Sequence, residues 1–257
     1  MPRPAIGGVG RGNAALRCSV HHRAKRLSRR IHEKGFPMKR SSLLCPLALA
    51  ICLGAVGCAS TRPVVYSGLA SSQQLRPNLG DRSGRVPYDY AAGADWRDYD
   101  SAVIEPVAIY RGPDSQFDEK VTEQDKAELA NFMRATFGEA LQARFALLDR
   151  PRPGSLRVAV TLTGAKKTPQ VAGTVTKFDL AGGPYNVVQS IRGKEGALSG
   201  SVSYAVEIYD ASNNRLLGAY VSKQYPNAMN VKASIGGLGA AKAGIRKGAE
   251  DLVARLN

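Results

Sequence analysis

Beyond residue 58 the 257-residue chain contains no cysteine and no histidine. Its four cysteines are Cys18, Cys45, Cys52 and Cys58, and its three histidines are His21, His22 and His32. For everything after Cys58 these absences exclude an internal disulfide, a cysteine nucleophile, a Ser-His-Asp triad and the zinc sites built from Cys and His. A metal there would have to be held by oxygens alone, as calcium and magnesium are. The expected cofactor and metal content is none. Without disulfides the fold must rest on its hydrophobic core, and roughly 200 residues suffice for one domain.

Acidic residues are almost missing from the first 57 positions, where eleven Lys or Arg face Glu33 alone. That stretch contributes +10 of the chain's +15, so the remaining 25 basic and 20 acidic residues carry only +5. A mild charge of this kind gives no reason to expect a nucleic-acid partner. Residues 1–37 have no apolar periodicity and read as an upstream extension, with Met38 the expected initiator. Ser28-Arg29-Arg30 resembles a twin-arginine export signal, but His32 and Glu33 stand where apolar residues belong.

A membrane-spanning run is missing too. The apolar stretch from Leu43 to Gly57 is interrupted by Pro46 and Gly54. Its roughly 14 apolar residues make a helix of about 21 Å, short of the roughly 30 Å hydrocarbon core. It follows Met38-Lys39-Arg40 and ends in small residues before Cys58, the pattern of a secretion signal. Ala55-Val56-Gly57-Cys58 resembles the lipobox of bacterial lipoproteins, with alanine where leucine is usual three residues before the cysteine. The resemblance implies cleavage between Gly57 and Cys58 and attachment of two or three acyl chains, palmitate among them, to Cys58. No aspartate follows, since the next residues are Ala59 and Ser60. This absence points to the outer membrane, facing the periplasm.

Residues 58–94 read as a flexible tether rich in Ser, Gly, Pro and Arg, with the apolar islands Val64-Val65-Tyr66 and Leu75 able to pack back. A single α/β domain is expected over 95–257. Ser101 to Tyr110 reads as a strand disturbed at Pro106. Thr122 and Asp125 resemble a capping box with a shorter acid, ahead of Leu129, Phe132, Met133, Phe137, Ala140, Leu141 and Phe145, which recur at helical spacing. Leu156, Val158, Val160 and Leu162 alternate as a half-buried strand, and the strand–helix–strand order predicts parallel pairing. Residues 165–199 read as a long glycine-rich loop or flap. Gly200 to Asp210 and Leu216 to Lys223 predict a hairpin. A glycine-rich C-terminal helix should run from about Ser234 to Leu256, its glycines either allowing close approach to the sheet or loosening its start. The fold class is therefore α/β: a two-layer sandwich, a small mixed sheet with two main helices on one face.

Val65-Tyr66-Ser67-Gly68-Leu69, Leu75-Arg76-Pro77, Asp95-Trp96-Arg97-Asp98-Tyr99-Asp100 and Val103-Ile104-Glu105-Pro106-Val107 resemble the bacterial lipoprotein family known as domain of unknown function 3313. The likeness runs from Cys58 nearly to the C-terminus and implies a small envelope lipoprotein without an established activity. The expected role is a non-catalytic binding or assembly module, held to the membrane by its lipid and meeting an envelope protein or glycan. Trp96 and Tyr99 are the candidate partner-binding residues, with a packed aromatic corner as the plainer reading. The alternative is a carboxylate-based hydrolase of envelope glycan using Asp95, Asp98, Asp100 and Glu105. Gly236-Gly237-x-Gly239 is a weak phosphate-binding signal, because no Gly-Lys-Ser/Thr follows it.

Overall fold

The alternating apolar residues at 156–162 and 202–208 mark the two central strands of a nine-stranded mixed sheet. The computed structural model describes residues 61–169, 182–192, 195, 199–227 and 236–257. In chain order the strands are β1 (Arg76–Pro77), β2 (Tyr88–Ala91), β3 (Ser101–Ile104), β4 (Ala108–Ile109), β5 (Gln116–Phe117), β6 (Ala146–Leu147), β7 (Ser155–Lys166), β8 (Ser201–Asp210) and β9 (Leu216–Gln224). The helices are α1 (Glu123–Leu141), α2 (Gly182–Ile191) and α3 (Gly239–Arg255), with a short 3-10 turn at Trp96–Asp98. The open sheet runs β1-β2-β9-β8-β7-β3-β6, and β4 and β5 also pair with the long strand β7.

Strand β3 lies parallel to β7, as the strand–helix–strand pattern predicts. The chain breaks at Pro106, which has no N–H for the ladder, and resumes as β4 further along the same neighbour. Strands β7, β8 and β9 are successively antiparallel, so the predicted hairpin is present. Its turn places Asn214 at φ 57°, a conformation asparagine tolerates better than most residues.

One sheet face carries α1 and α3. Thr122 and Asp125 close the capping box, with Asp125 N–H donating to Thr122 Oγ1 at 3.2 Å and Thr122 N–H to Asp125 Oδ2 at 2.7 Å. Leu129, Met133, Phe137 and Leu141 of α1 are buried with Leu156, Val158, Tyr204 and Val206. The glycines of α3 allow close approach. A Cβ on Gly248 would overlap the Tyr204 hydroxyl, and one on Gly244 would lie 3.0 Å from Gln224.

Residues 61–94, expected as a tether, are instead part of the domain. They supply β1 and β2 and cover the second sheet face, where Tyr66, Leu69 and Leu75 are buried with Tyr110, Ala205, Ala219 and Val221. The Ser71 N–H donates to the buried Glu207 carboxylate at 2.6 Å, and the Gly68 N–H to the Tyr110 hydroxyl at 3.1 Å. The segment has no period because it crosses the sheet in turns, each anchored by one side chain. The sheet is consequently larger than the small one expected.

The loop expected over 165–199 is also corrected in part. Strand β7 continues through Lys166, and α2 occupies 182–191. Pro184 falls in the first turn of α2, where its missing N–H breaks no intrahelical bond. Of the remaining residues of that stretch, 170–181, 193–194 and 196–198 lie outside the described ones.

Candidate functional site

The aromatic corner forms where β8 and β9 meet at their turn. Asp95 accepts from the Arg97 N–H at 3.0 Å and pairs with the Arg97 guanidinium at 2.8 Å, opening the 3-10 turn that positions Trp96. Arg144 ties the corner to the end of α1 by donating to the Trp96 carbonyl at 3.0 Å and the Tyr99 carbonyl at 3.3 Å. Tyr99 is buried in the main core, and its hydroxyl donates to Asp210 Oδ2 at 3.1 Å. Burial and the adjacent Asp210 carboxylate raise the Tyr99 phenol above its ordinary value. As a partner-binding residue Tyr99 is therefore corrected to a core residue, because no ring face is left for a ligand. Trp96 differs. It is half-buried against Gly218 and borders an open cleft of about 450 Å³ with Gly93, Ala94, Asp95, Arg97 and Asn257.

Of the four carboxylates considered for hydrolysis, Asp98 is exposed in the 3-10 turn and the other three are each held by a different arginine. Asp95 pairs with Arg97, Asp100 with Arg152 at 3.1 Å, and Glu105 with Arg157 at 2.8 Å. The Arg97 hydrogen bonds hold Asp95 below the usual carboxylate range, and the Ser101 hydroxyl followed by Arg152 does the same for Asp100. A general acid needs the opposite shift. Among the described residues no group of three His, Cys, Asp or Glu is placed to hold a metal ion.

The other ends of β8 and β9 carry a second cleft of about 430 Å³, bordered by Thr61, Gln116, Asp118, Glu195, Ser203 and Lys223. Lys223 and Glu195 form an ion pair there at 2.8 Å, their side chains only 8% and 9% exposed. Lys223 Nζ also donates to the Thr61 carbonyl at 2.9 Å. Sequence reading missed this pair. Its partners come from a strand end and a loop, and no local spacing links them to each other or to Thr61. Gly57 and Cys58, the expected cleavage and lipidation positions, lie outside the described residues. Gly236 has φ 79° and, with Gly239, flanks the start of α3, but the backbone carbonyl of Gly236 already accepts the Gly239 N–H at 3.0 Å.

No curated protein matches the sequence. Among solved structures, two PelC dodecamers from Paraburkholderia phytofirmans are similar at 13% and 12% identity. They match 64% and 60% of this chain and 93% and 88% of their own, with TM-scores of 0.36 and 0.32. A DUF330-family protein from Xanthomonas campestris is similar at 10% identity, over 60% of this chain and 81% of its own, with a TM-score of 0.32. Residues 65–252 match the family model described as protein of unknown function DUF3313, and the chain belongs to that family.

Proposed function

We propose that the protein is a non-catalytic, lipid-anchored envelope lipoprotein of the outer membrane. Its α/β domain would face the periplasm and receive a protein or glycan at the Trp96 cleft. The observation that carries this reading is how soon the fold begins after the lipobox-like cysteine. Thr61 is already bonded to Lys223, and Pro63 and Tyr66 are already buried. Acyl chains on Cys58 would hold the domain directly at the bilayer, since three extended residues reach at most about 11 Å. The Trp96 cleft lies at the opposite end of β9, beside Gly218, and would point away from the membrane. The separate pairing of Asp95, Asp100 and Glu105 favours binding over glycan hydrolysis.

The test is the intact mass of protein extracted from membranes, beside a Cys58→Ser variant. The expected mass corresponds to Cys58 through Asn257 plus acyl chains, and the substitution removes both the cleavage and the acyl mass. An unmodified chain retaining residues before Cys58 would overturn the reading. Amide substitution of Asp98, Asp100 and Glu105, none of which lines the Trp96 cleft, separates the two roles, because a binding module keeps its phenotype and a hydrolase loses it.

A further inference from the structure

Helix α2 is amphipathic with its polar face turned inward. Asn186 is fully buried, and Gln189 and Ser190 are half-buried, with Ser190 Oγ donating to Asn227 Oδ1 at 2.7 Å. At about 3.6 residues per turn, Asn186, Gln189 and Ser190 share one face. The other face presents Tyr185, Val187, Val188 and Ile191, exposed by 49%, 45%, 45% and 82%. A surface helix ordinarily buries its apolar stripe. Of the large hydrophobic side chains exposed among the described residues, only Val64 and Leu79 lie outside this helix. The patch is therefore concentrated, and a concentrated apolar patch marks a contact surface.

Position and charge identify what covers it. Ser190 is bonded to Asn227, just beyond the end of β9, and Lys223, next to last in that strand, holds the Thr61 carbonyl. Helix α2 and the start of the packed chain thus sit at the same end of the sheet, within reach of Cys58. The β8–β9 turn lies at the far end of a nine-residue strand, about 30 Å away. Helix α2 has no acidic residue, and exposed Arg192 follows it. A basic residue beside an apolar face suits anionic head groups. Ten residues make about 15 Å of helix, half a bilayer core, which fits lying in the interface and not crossing it.

We infer that the Tyr185–Val188–Ile191 face of α2 lies in the lipid interface beside the anchor, as a second attachment that fixes the domain's orientation. The inference rests on the lipid-anchor reading above. Acyl chains confine the helix to the surface, so even weak interfacial affinity is enough to keep it seated.

The absence of cysteine after residue 58 supplies the test. Ile191→Cys and Asn213→Cys each place a nitroxide label, one on α2 and one at the exposed β8–β9 turn. Both proteins are purified from membranes, their masses checked, and reconstituted in phosphatidylethanolamine–phosphatidylglycerol vesicles. Relaxation by oxygen against a water-soluble nickel chelate then reads depth. The label at 191 is expected about 5–10 Å below the surface and the label at 213 in water. Adding Val188→Asn to the first protein moves its label to the water value. Nickel access at 191 equal to that at 213, on acylated protein, overturns the inference and leaves the anchor intact. Spin–spin broadening at 191 also overturns it, by giving the face to a second copy of the chain. Protein lacking acyl mass sinks the anchor reading, and the depth at 191 then decides this inference alone.

Discussion

Burial by itself would raise the Asp125 carboxyl. The Lys167 ammonium at 2.6 Å and the hydroxyl and N–H of Thr122 outweigh that effect and hold it below its ordinary 3.8. At the other extreme, burial pushes the Tyr66 phenol up to about 12 from 10.0, and Tyr209 also to about 12. The signs follow from linkage. The Asp125 contribution is complete above pH about 3.8, its unfolded value, and is lost as pH falls through the folded one. The tyrosine contribution is complete below pH about 10 and is lost as pH rises toward 12. Thermal midpoints should form a plateau between these limits. Asp125→Asn should flatten the acid limb, and Tyr66→Phe should shift the alkaline limb upward. Equal acid limbs for the wild type and Asp125→Asn would refute this account of the capping box. The box itself was legible in the sequence because Thr122 and Asp125 are three residues apart. The Asp125–Lys167 and Lys223–Glu195 pairs were not, because they form only when distant elements meet.

Two helical glycines that look alike in sequence have opposite surroundings. Gly138 of α1 has room for a methyl group, whose carbon would meet Leu147 at 3.6 Å and Ile104 at 3.8 Å in ordinary contact. Gly138→Ala should therefore stabilise the fold, by up to about 1 kcal/mol of helix propensity. The same change at Gly248 forces a carbon onto the Tyr204 hydroxyl and within 2.8 Å of its ring carbon Cζ, in a fully buried ring packed edge-on to Phe137 at 5.5 Å. Overpacking of this kind typically costs about 1–3 kcal/mol and outweighs the propensity gain. Denaturant midpoints should thus move in opposite directions for the two variants. Matching shifts would mean that α3 stands off the sheet. The helical face of α1 and the alternation of β7 and β8 could be read from periodicity, since each buries a regular stripe. Helix α2 could not, because its period is real but its apolar side faces outward, and its glycines and proline suggest a loop.

At the scale of the whole molecule the N-terminal segment decides where the domain begins. A sheet covered by helices on one face only would leave Ala205, Ala219 and Val221 to water, and residues 61–75 prevent that. Tyr66 is fully buried, packs edge-on to Tyr110 at 5.2 Å and donates its hydroxyl to Gln116 Oε1 at 3.1 Å. The sequence showed the apolar islands, but three-dimensional cover by isolated side chains has no period to detect. If the segment is integral, Tyr66→Ala should destabilise the domain by about 3–5 kcal/mol and Leu69→Ala by about 2–5 kcal/mol, as core truncations do. If it were only a tether, neither change would move the denaturant midpoint. Urea titrations of both variants, followed through the fluorescence of the sole tryptophan, Trp96, distinguish these outcomes. Trp96 lies at the opposite end of β9 from Thr61, so a single shifted transition would also show that both sheet faces unfold together. If Cys58 carries the proposed lipid anchor, the domain would then transmit any pull on it directly into the sheet, through Thr61 and Lys223.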